Sequence, residues 1–330
     1  MLSLFILPST RAARSKRDAW GWAASIAAVV ALAAFGMLDQ NLGLLDIFGT
    51  VLMYVVLTQA WNILGGYGGY LNFGLATYFG VGAYTTALMF HFLDLPPLLT
   101  APLGGLAALI LGFLIGIPAL RLRGAFFAVI TMIITFAVQI LVLDVPFTQG
   151  ALGIYLDPLP LSPAEVERLF YFIFLALALI VTALVYAIEH SNFGWTLVAI
   201  REDEDAAEII GVRTTEVKWT ANAIGAAIAG IIGGIYAQRI LYLEPTGAFA
   251  FDVSLDVVLM AVIGGAGTWQ GPLIGAPLVL LVADALRVAV TSEINRVIFS
   301  LCVILIALFF PGGVVGSVSD ILRRRNVDVE

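Results

Sequence analysis

Ser191 to Lys218 reads S-N-F-G-W-T-L-V-A-I-R-E-D-E-D-A-A-E-I-I-G-V-R-T-T-E-V-K, a long polar stretch in a chain otherwise apolar enough to sit in a membrane. Glu202, Asp203, Glu204 and Asp205 form an acidic run, Glu208 follows, and Arg201, Arg213 and Lys218 lie close by. A charged side chain at a bilayer centre costs roughly 2.5–3.5 kcal/mol. The stretch therefore lies outside the hydrocarbon, yet it does not read as a slack linker. Glu204 to Ile210 is rich in helix formers and Gly211 sits where a helix C′ glycine belongs. Thr214 or Thr215 is placed to cap the helix that follows. A short ordered helix outside a membrane bundle reads as a docking element.

The composition around it sets the class. Of 330 residues, 61% are hydrophobic and 12% charged, against roughly 25% charged in a soluble domain. The fold class is all-α, a polytopic membrane protein. The net charge of −7 decides little, because topology follows the distribution of Lys and Arg. Cys302 is the single cysteine and lies in an apolar run, which reads as a buried inert thiol. His91 and His190 sit near span boundaries, and no cluster with metal-ligand spacing accompanies them.

Ten apolar runs are long enough to be candidate spans: about 20–38, 46–64, 70–91, 98–120, 124–143, 168–189, 218–240, 253–268, 271–290 and 294–310. The run 253–268 is short and ends in Gly264-Gly265-Ala266-Gly267, so it reads as spanning, re-entrant or broken. The first run follows Arg11, Arg14, Lys16 and Arg17; it reads as an uncleaved span, with a cleaved signal peptide as the alternative. With both termini cytoplasmic, the inner side receives those four bases, Arg121, Arg123, Arg201, Arg213, Lys218 and Arg323 to Arg325, leaving Arg168, Arg239, Arg287 and Arg296 outside. That is the bias the positive-inside rule requires. The chain then divides into a basic N-terminus (1–19), a transmembrane domain (20–316) containing the cytoplasmic loop 191–218, and a tail (317–330). The longest outer loop, Asp144 to Glu167, carries Pro146, Pro158, Pro160 and Pro163, a density that argues against helix.

Gly65-Gly-Tyr-Gly-Gly-Tyr-Leu-Asn-Phe-Gly74 weakens any helix by about 1 kcal/mol per glycine relative to alanine. In a membrane, such a break survives only where its backbone faces protein or a water-filled cavity, and broken helices often line transport sites. A tight turn with close packing is the competing reading. Two polar stripes run at fourfold spacing: Asp46, Thr50, Tyr54, Thr58 and Asn62 in one span, and Thr131, Thr135 and Gln139 in another. Fourfold spacing keeps them on one helix face, which is expected to turn away from lipid. Interhelical hydrogen bonding is the alternative. Candidate pathway residues are thus Asn62, Tyr70, Asn72, Thr131, Thr135 and Gln139, with Phe73, Leu75 and Phe79 as an apolar wall. Gly225, Ala229 and Gly233, with Gly230 and Gly234 beside them, have the small-xxx-small spacing of closely packed helices, against a partner or the bundle centre. No G-x-x-x-x-G-K-[ST] occurs, so the chain has no P-loop for ATP. Nothing in it suits nucleic acid or nucleophilic catalysis.

Glu204-Asp205-Ala206-Ala207-Glu208-Ile209-Ile210-Gly211 resembles the "EAA" loop of bacterial ABC importer permeases, which seats a short helix in a groove of the cytoplasmic ATPase. Ala199-Ile200-Arg201-Glu202-Asp203-Glu204, the Ala-Ala…Gly core and Lys218 ahead of a Gly/Ala-rich helix are similar to LivM-type permeases of the branched-chain amino acid family. The resemblance extends over most of residues 60–316. It includes Phe79-Gly-Val-Gly-Ala-Tyr84, Leu120-Arg-Leu-Arg-Gly124, Thr148 to Ile154, Gly264-Gly265-x-Gly267 with Gly271-Pro272 and Gly275-Ala276, and Pro311 to Gly316. Where the family commonly shows Ser-x-Gly-His, this chain has Asn72-Phe73-Gly74-Leu75, a departure that bears on the solute more than on the fold.

The resemblance implies a non-enzymatic permease subunit of the bacterial inner membrane. Its expected partners are a LivH-type second permease, two ABC ATPase subunits and a periplasmic solute-binding protein. No cofactor is expected in this chain, with ATP and Mg in the ATPases. The implied ATPase-coupling residues are Glu204, Ala206, Ala207, Glu208 and Gly211. The alternatives are a same-fold permease for urea, short amides or aromatic acids, and a stand-alone secondary transporter using Asp46, Asp256 or Asp284.

Overall fold

The computed structural model describes residues 31–37, 41–289 and 313–316. Residues 31–37 are helical (α1). Then come α2 (Leu42–Asn62), running on through a π-helical turn at Ile63–Tyr67, α3 (Leu75–Leu93), α4 (Pro97–Ala119) and α5 (Ala125–Asp144). After a short strand β1 (Ile154–Tyr155) follow α6 (Pro163–Glu189), α7 (Asn192–Glu202), α8 (Glu204–Ile209) and α9 (Thr214–Ile240). Strand β2 (Tyr242–Leu243), α10 (Pro245–Ala248), α11 (Phe251–Gly264) and α12 (Gly271–Ala289) complete the described order.

Helix α9 is the axis of the bundle. It packs most extensively on α4 and α3, while α2 packs on α6 and α11 on α12. The small residues read from the sequence lie at these contacts. A Cβ on Gly82 or Gly230 would run into the backbone of the facing helix, and one on Gly233 would strike the Phe79 carbonyl. Backbones approach this closely only where side chains are absent, and in lipid such packing drives association because hydrophobicity does not distinguish a helix from the acyl chains. The Gly225–Gly234 stripe therefore serves the centre of this bundle.

Among the described residues, six segments are long and apolar enough to cross a membrane: Leu42–Tyr67, Pro97–Ala119, Ala125–Asp144, Pro163–Glu189, Thr214–Ile240 and Pro245–Gly264. The multi-pass helical architecture stands, and the count falls short of the ten runs expected from sequence. Helix α3, at 19 residues, is diluted by Thr77, Tyr78, Tyr84, Thr85, Thr86 and His91, and the apolar part of α12 is the shorter Gly271–Ala285. Most of 20–38 and all of 294–310 lie outside the described residues.

Three boundaries differ from the sequence reading. The outer loop ends at Ser162, not Glu167, because Ser162 and Glu165 form a capping box with Pro163 in the first turn, where proline costs nothing. Thr214 opens α9 instead of capping it, and Arg213 is the cap residue. The run 253–268 is α11, preceded by the single turn α10 and stopped by Gly265 at φ 123°. The loop before α6 is tied down by β1 pairing antiparallel with β2, Ile154 opposite Leu243 and Tyr155 opposite Tyr242.

Candidate functional site

One end of the bundle gathers both broken segments and the polar stretch. After the π-turn, residues 68–74 are not helical, and Gly69 takes φ +74°. A break frees backbone groups that lipid cannot satisfy, and here neighbouring side chains take them up. Arg201 Nη1 donates to the Gly66 carbonyl at 3.0 Å, and Trp61 Nε1 donates to the Asn72 carbonyl at 2.7 Å. The Phe73 N–H donates to Thr131 Oγ1 at 3.1 Å, the Gly74 N–H to Asn72 Oδ1 at 2.7 Å, and the Ala76 N–H to Ser254 Oγ at 2.8 Å.

The second break, Gly265–Gln270, lies against the first. Asn62 binds it twice: Oδ1 accepts from the Gly267 N–H at 2.8 Å and Nδ2 donates to the Thr268 carbonyl at 2.9 Å. Gln59 Nε2 donates to the Trp269 carbonyl at 2.8 Å. Glu189, the last residue of α6, accepts from the Tyr67 hydroxyl at 2.5 Å and from the Trp269 N–H at 3.0 Å. A Cβ on Gly66 would overlap Asn62 Oδ1 and stand 2.5 Å from the Gly267 nitrogen, so the two breaks fit only with glycine there.

The polar stretch folds into α7 and α8 and returns to this end. Asp203 caps α8 by accepting from the Ala206 N–H at 3.0 Å, and Gly211 takes φ +93° just past its end, the C′ role its position forecast. Inside, Lys218 Nζ lies 2.5 Å from Glu204 Oε1 and donates to the Tyr70 hydroxyl at 3.0 Å and the Leu120 carbonyl at 3.1 Å. The Tyr70 hydroxyl donates to the other Glu204 oxygen. Arg123 closes the cluster, 3.3 Å from Glu204 and 2.6 Å from Asp205. The Lys218 side chain is 3% exposed and that of Glu204 10%. A buried charge persists only when paired and hydrogen-bonded, and both conditions hold.

Electrostatics follow from these contacts. Burial alone pushes the Glu204 carboxyl up, but hydrogen bonds from Lys218 and Tyr70 and the charges of Lys218 and Arg123 outweigh it, holding the group below the usual carboxylate range. Burial pushes the Tyr70 phenol up, and the adjacent Glu204 carboxylate adds to it, so the hydroxyl stays a donor.

The residues singled out from sequence are placed as follows. Asn62, Asn72, Thr131 and Thr135 are all buried about the break. Asn72 Nδ2 donates to Asn222 Oδ1 at 3.1 Å, and Thr135 Oγ1 meets Thr77 Oγ1 at 2.9 Å. Tyr70 belongs to the charge cluster, and Gln139 is half-buried, away from the break along α5. Of the coupling residues, Glu204 points inward and Ala207 is 3% exposed. Ala206 and Gly211 are exposed, and Glu208 accepts from Thr214 Oγ1 at 2.6 Å. The outer apolar surface of α8 is instead Ile209 and Ile210, 86% and 78% exposed.

Sequence reasoning gave no bonding role to Arg201, Glu189 or Arg239 and did not foresee the helix α7. Glu189 carried a usable signal, a single acid closing a long apolar run. Arg239 carried another, a base near the end of a helix whose neighbours are small. Arg239 binds the first polar stripe, with Nη1 donating to Thr50 Oγ1 at 3.2 Å and Nη2 to the Asp46 carbonyl at 3.0 Å and to its carboxylate.

With this geometry in view, residues 43–308 match the family model described as branched-chain amino acid transport system / permease component. The chain is 28% identical to the high-affinity branched-chain amino acid transport system permease protein LivM of Escherichia coli K12, across 98% of this chain and 80% of that protein. It is 29% identical to the LivM protein of Salmonella typhimurium, across 86% and 72%. The LivH permease protein of Salmonella typhimurium is 33% identical over 41% of this chain and 43% of its own. No solved structure matches the fold.

Proposed function

The chain belongs to the branched-chain amino acid ABC transport permease family, and from that premise we propose that it forms part of the route by which branched-chain amino acids cross the bacterial inner membrane. It works beside a second permease of the LivH type, with two ATPases at the basic end of the bundle and a solute-binding protein at the other. Both termini are cytoplasmic, and the end bearing Arg123, Arg201, Arg213 and Lys218 faces the cytoplasm. The distribution of Lys and Arg supports that orientation.

The observation that carries the coupling role is the cluster of Glu204, Lys218, Tyr70 and Arg123. Through it α8 is bonded to the glycine-rich break, to the start of α9, and to the segment between α4 and α5. A push on the exposed Ile209–Ile210 face would therefore reach the break, α9 and the α4–α5 connection together. The hydrolytic step lies in the partner ATPases, which supply ATP and Mg chemistry. This chain supplies a surface to be pushed and a break that rearranges. Glu204, Ala206, Ala207, Glu208 and Gly211 build the coupling element. Asn62, Tyr70, Asn72, Thr131, Thr135 and Gln139 shape and support the pathway, chiefly by holding the break.

The test is uptake of L-leucine, L-isoleucine and L-valine into proteoliposomes containing the chain with its second permease, ATPases and binding protein. ATP-dependent accumulation of these solutes is expected. Accumulation of urea or benzoate in their place would overturn the assignment.

A further inference from the structure

At the end of the bundle opposite the breaks, a cavity of about 370 Å³ opens between α2, α6, α9 and α11. This lies at the small end of the ~300–1,000 Å³ range typical of small-molecule sites. One wall is charged: Asp46 and Thr50 from α2, Glu167 from α6 and Arg239 from α9. The rest of the lining includes the apolar Met53, Leu57, Phe79 and Val253.

The charges are incompletely matched. Arg239, whose side chain is 9% exposed, uses Nη1 and Nη2 on Thr50 and Asp46. Its Nη2 lies 3.6 Å from Glu167 Oε2, too far for a hydrogen bond, and that oxygen is buried without a hydrogen-bond partner. Two carboxylates thus share one guanidinium at the wall of a cavity also lined by hydrocarbon. A buried acceptor that has an ion-pair neighbour but no hydrogen bond still carries a desolvation cost, which a donor arriving with a ligand relieves.

We propose that this cavity is a binding site for the zwitterionic head and aliphatic side chain of an α-amino acid. The ligand's ammonium group donates to Glu167, its carboxylate lies against Arg239, and its side chain lies on Met53, Leu57, Phe79 and Val253. A ligand lacking the ammonium leaves Glu167 unsatisfied and adds a negative charge beside two others. One lacking the carboxylate leaves the Arg239 side of the wall unoccupied. The chain itself would thus examine the solute after the binding protein releases it. The inference rests on the permease reading above and adds a site to it.

The experiment measures binding of radiolabelled L-leucine to the assembled permease–ATPase complex in nanodiscs, without the binding protein. Leucine should bind, and 4-methylpentanoate and 3-methylbutylamine should compete at least roughly tenfold more weakly, as expected for one lost charge-assisted hydrogen bond. Glu167→Gln should weaken leucine binding by a similar factor, and Val253→Phe, which fills the cavity from its half-buried edge, should do likewise. Both variants should keep their ATPase subunits. Unchanged leucine binding in both variants, or equal competition by the two half-ligands, overturns the inference. So does an absence of leucine binding in a complex that transports leucine once the binding protein is added. Failure of that transport would sink the permease reading itself, and this inference with it.

Discussion

Lys218 and Glu204 face each other at 2.5 Å with side chains 3% and 10% exposed, and they join the starts of two helices of very different character. Helix α9 is the bundle axis, whereas α8 has six residues and an exposed apolar tip. Breaking a contact so enclosed from one side costs more than breaking a surface ion pair, worth about 0–1 kcal/mol.

Breaking that pair from one side should uncouple the protein. Lys218→Met leaves Glu204 with only the half-exposed Arg123 as counter-charge, so the cost should fall below the roughly 3–5 kcal/mol of a wholly uncompensated buried charge. ATP-driven leucine uptake should fall more than tenfold, with a lower melting temperature in detergent. Adding Glu204→Gln should restore part of the stability without restoring uptake. A double-mutant cycle on melting temperature and uptake measures both. Because the Glu204 carboxyl is held below its usual range, its stabilisation is present above the unfolded value of about 4.3 and is lost as pH falls through the lowered folded value. Melting should therefore be insensitive to Glu204 from about pH 6 to 8, and the wild type should lose its advantage over Glu204→Gln only below about pH 4.

The two faces of α8 should separate by mutation. Ile209→Glu and Ile210→Glu place charge on an already exposed surface. They should leave folding intact and abolish capture of the ATPase subunits in a pull-down. Ala207→Arg forces a long cation into a site 3% exposed, so its first effect should be loss of folded protein. Normal ATPase capture by both isoleucine variants would remove α8 from the docking surface.

Gly211 offers a backbone test free of steric complication. A Cβ there meets nothing within 4 Å, yet φ is +93°. Gly211→Val should cost about 1–2 kcal/mol through the left-handed conformation alone. Gly211→Asn, whose side chain tolerates that region, should lie closer to wild type in both melting temperature and uptake. Equal behaviour of the two would mean that α8 ends differently when docked.

The glycine-rich break should respond to loss of its brackets. Asn72→Leu strands the Gly74 N–H and one partner of Asn222, at about 1–3 kcal/mol per buried group. Uptake and stability should fall together. Thr135→Val removes bonds to Thr77 and to the Phe73 carbonyl and should be milder. Gly66→Ala should be the most damaging, since its Cβ meets Asn62 and the Gly267 backbone. Wild-type uptake in Gly66→Ala would show that the breaks separate during the cycle.

Orientation is checked by labelling single-cysteine variants. Asp203→Cys should react with impermeant reagents only from the cytoplasmic side and Pro158→Cys only from outside. Outside labelling of Asp203→Cys would invert the bundle and remove the ATPase from α8.

Much of this architecture was legible because membrane physics writes it plainly. Apolar runs must be helices, the polar stretch must lie outside, and Gly211 could hardly end α8 without a positive φ. Orientation within the stretch was not legible. Ala206 and Ala207 are neighbours of the same type, and only packing against the bundle decides that Ala207 turns in. The same limit hid the role of Asn62, which fourfold spacing placed on a stripe with Asp46 and Thr50. Its partners, Gly267 and Thr268, lie about two hundred positions away in the chain, a separation at which periodicity carries no information. The partners of Arg239, Asp46 and Thr50, were hidden for the same reason, lying nearly two hundred positions away.

The double hold of Asn62 on Gly267 and Thr268 also fastens the two breaks to each other. One amide ties the end of α2 to the connection between α11 and α12, and Glu189 adds a second tie by accepting from both Tyr67 and Trp269. Two breaks so joined are expected to move as one. A spin-label pair on Gly68 and Ala266 should hold a constant distance while pairs from either site to α5 lengthen and shorten with each turnover.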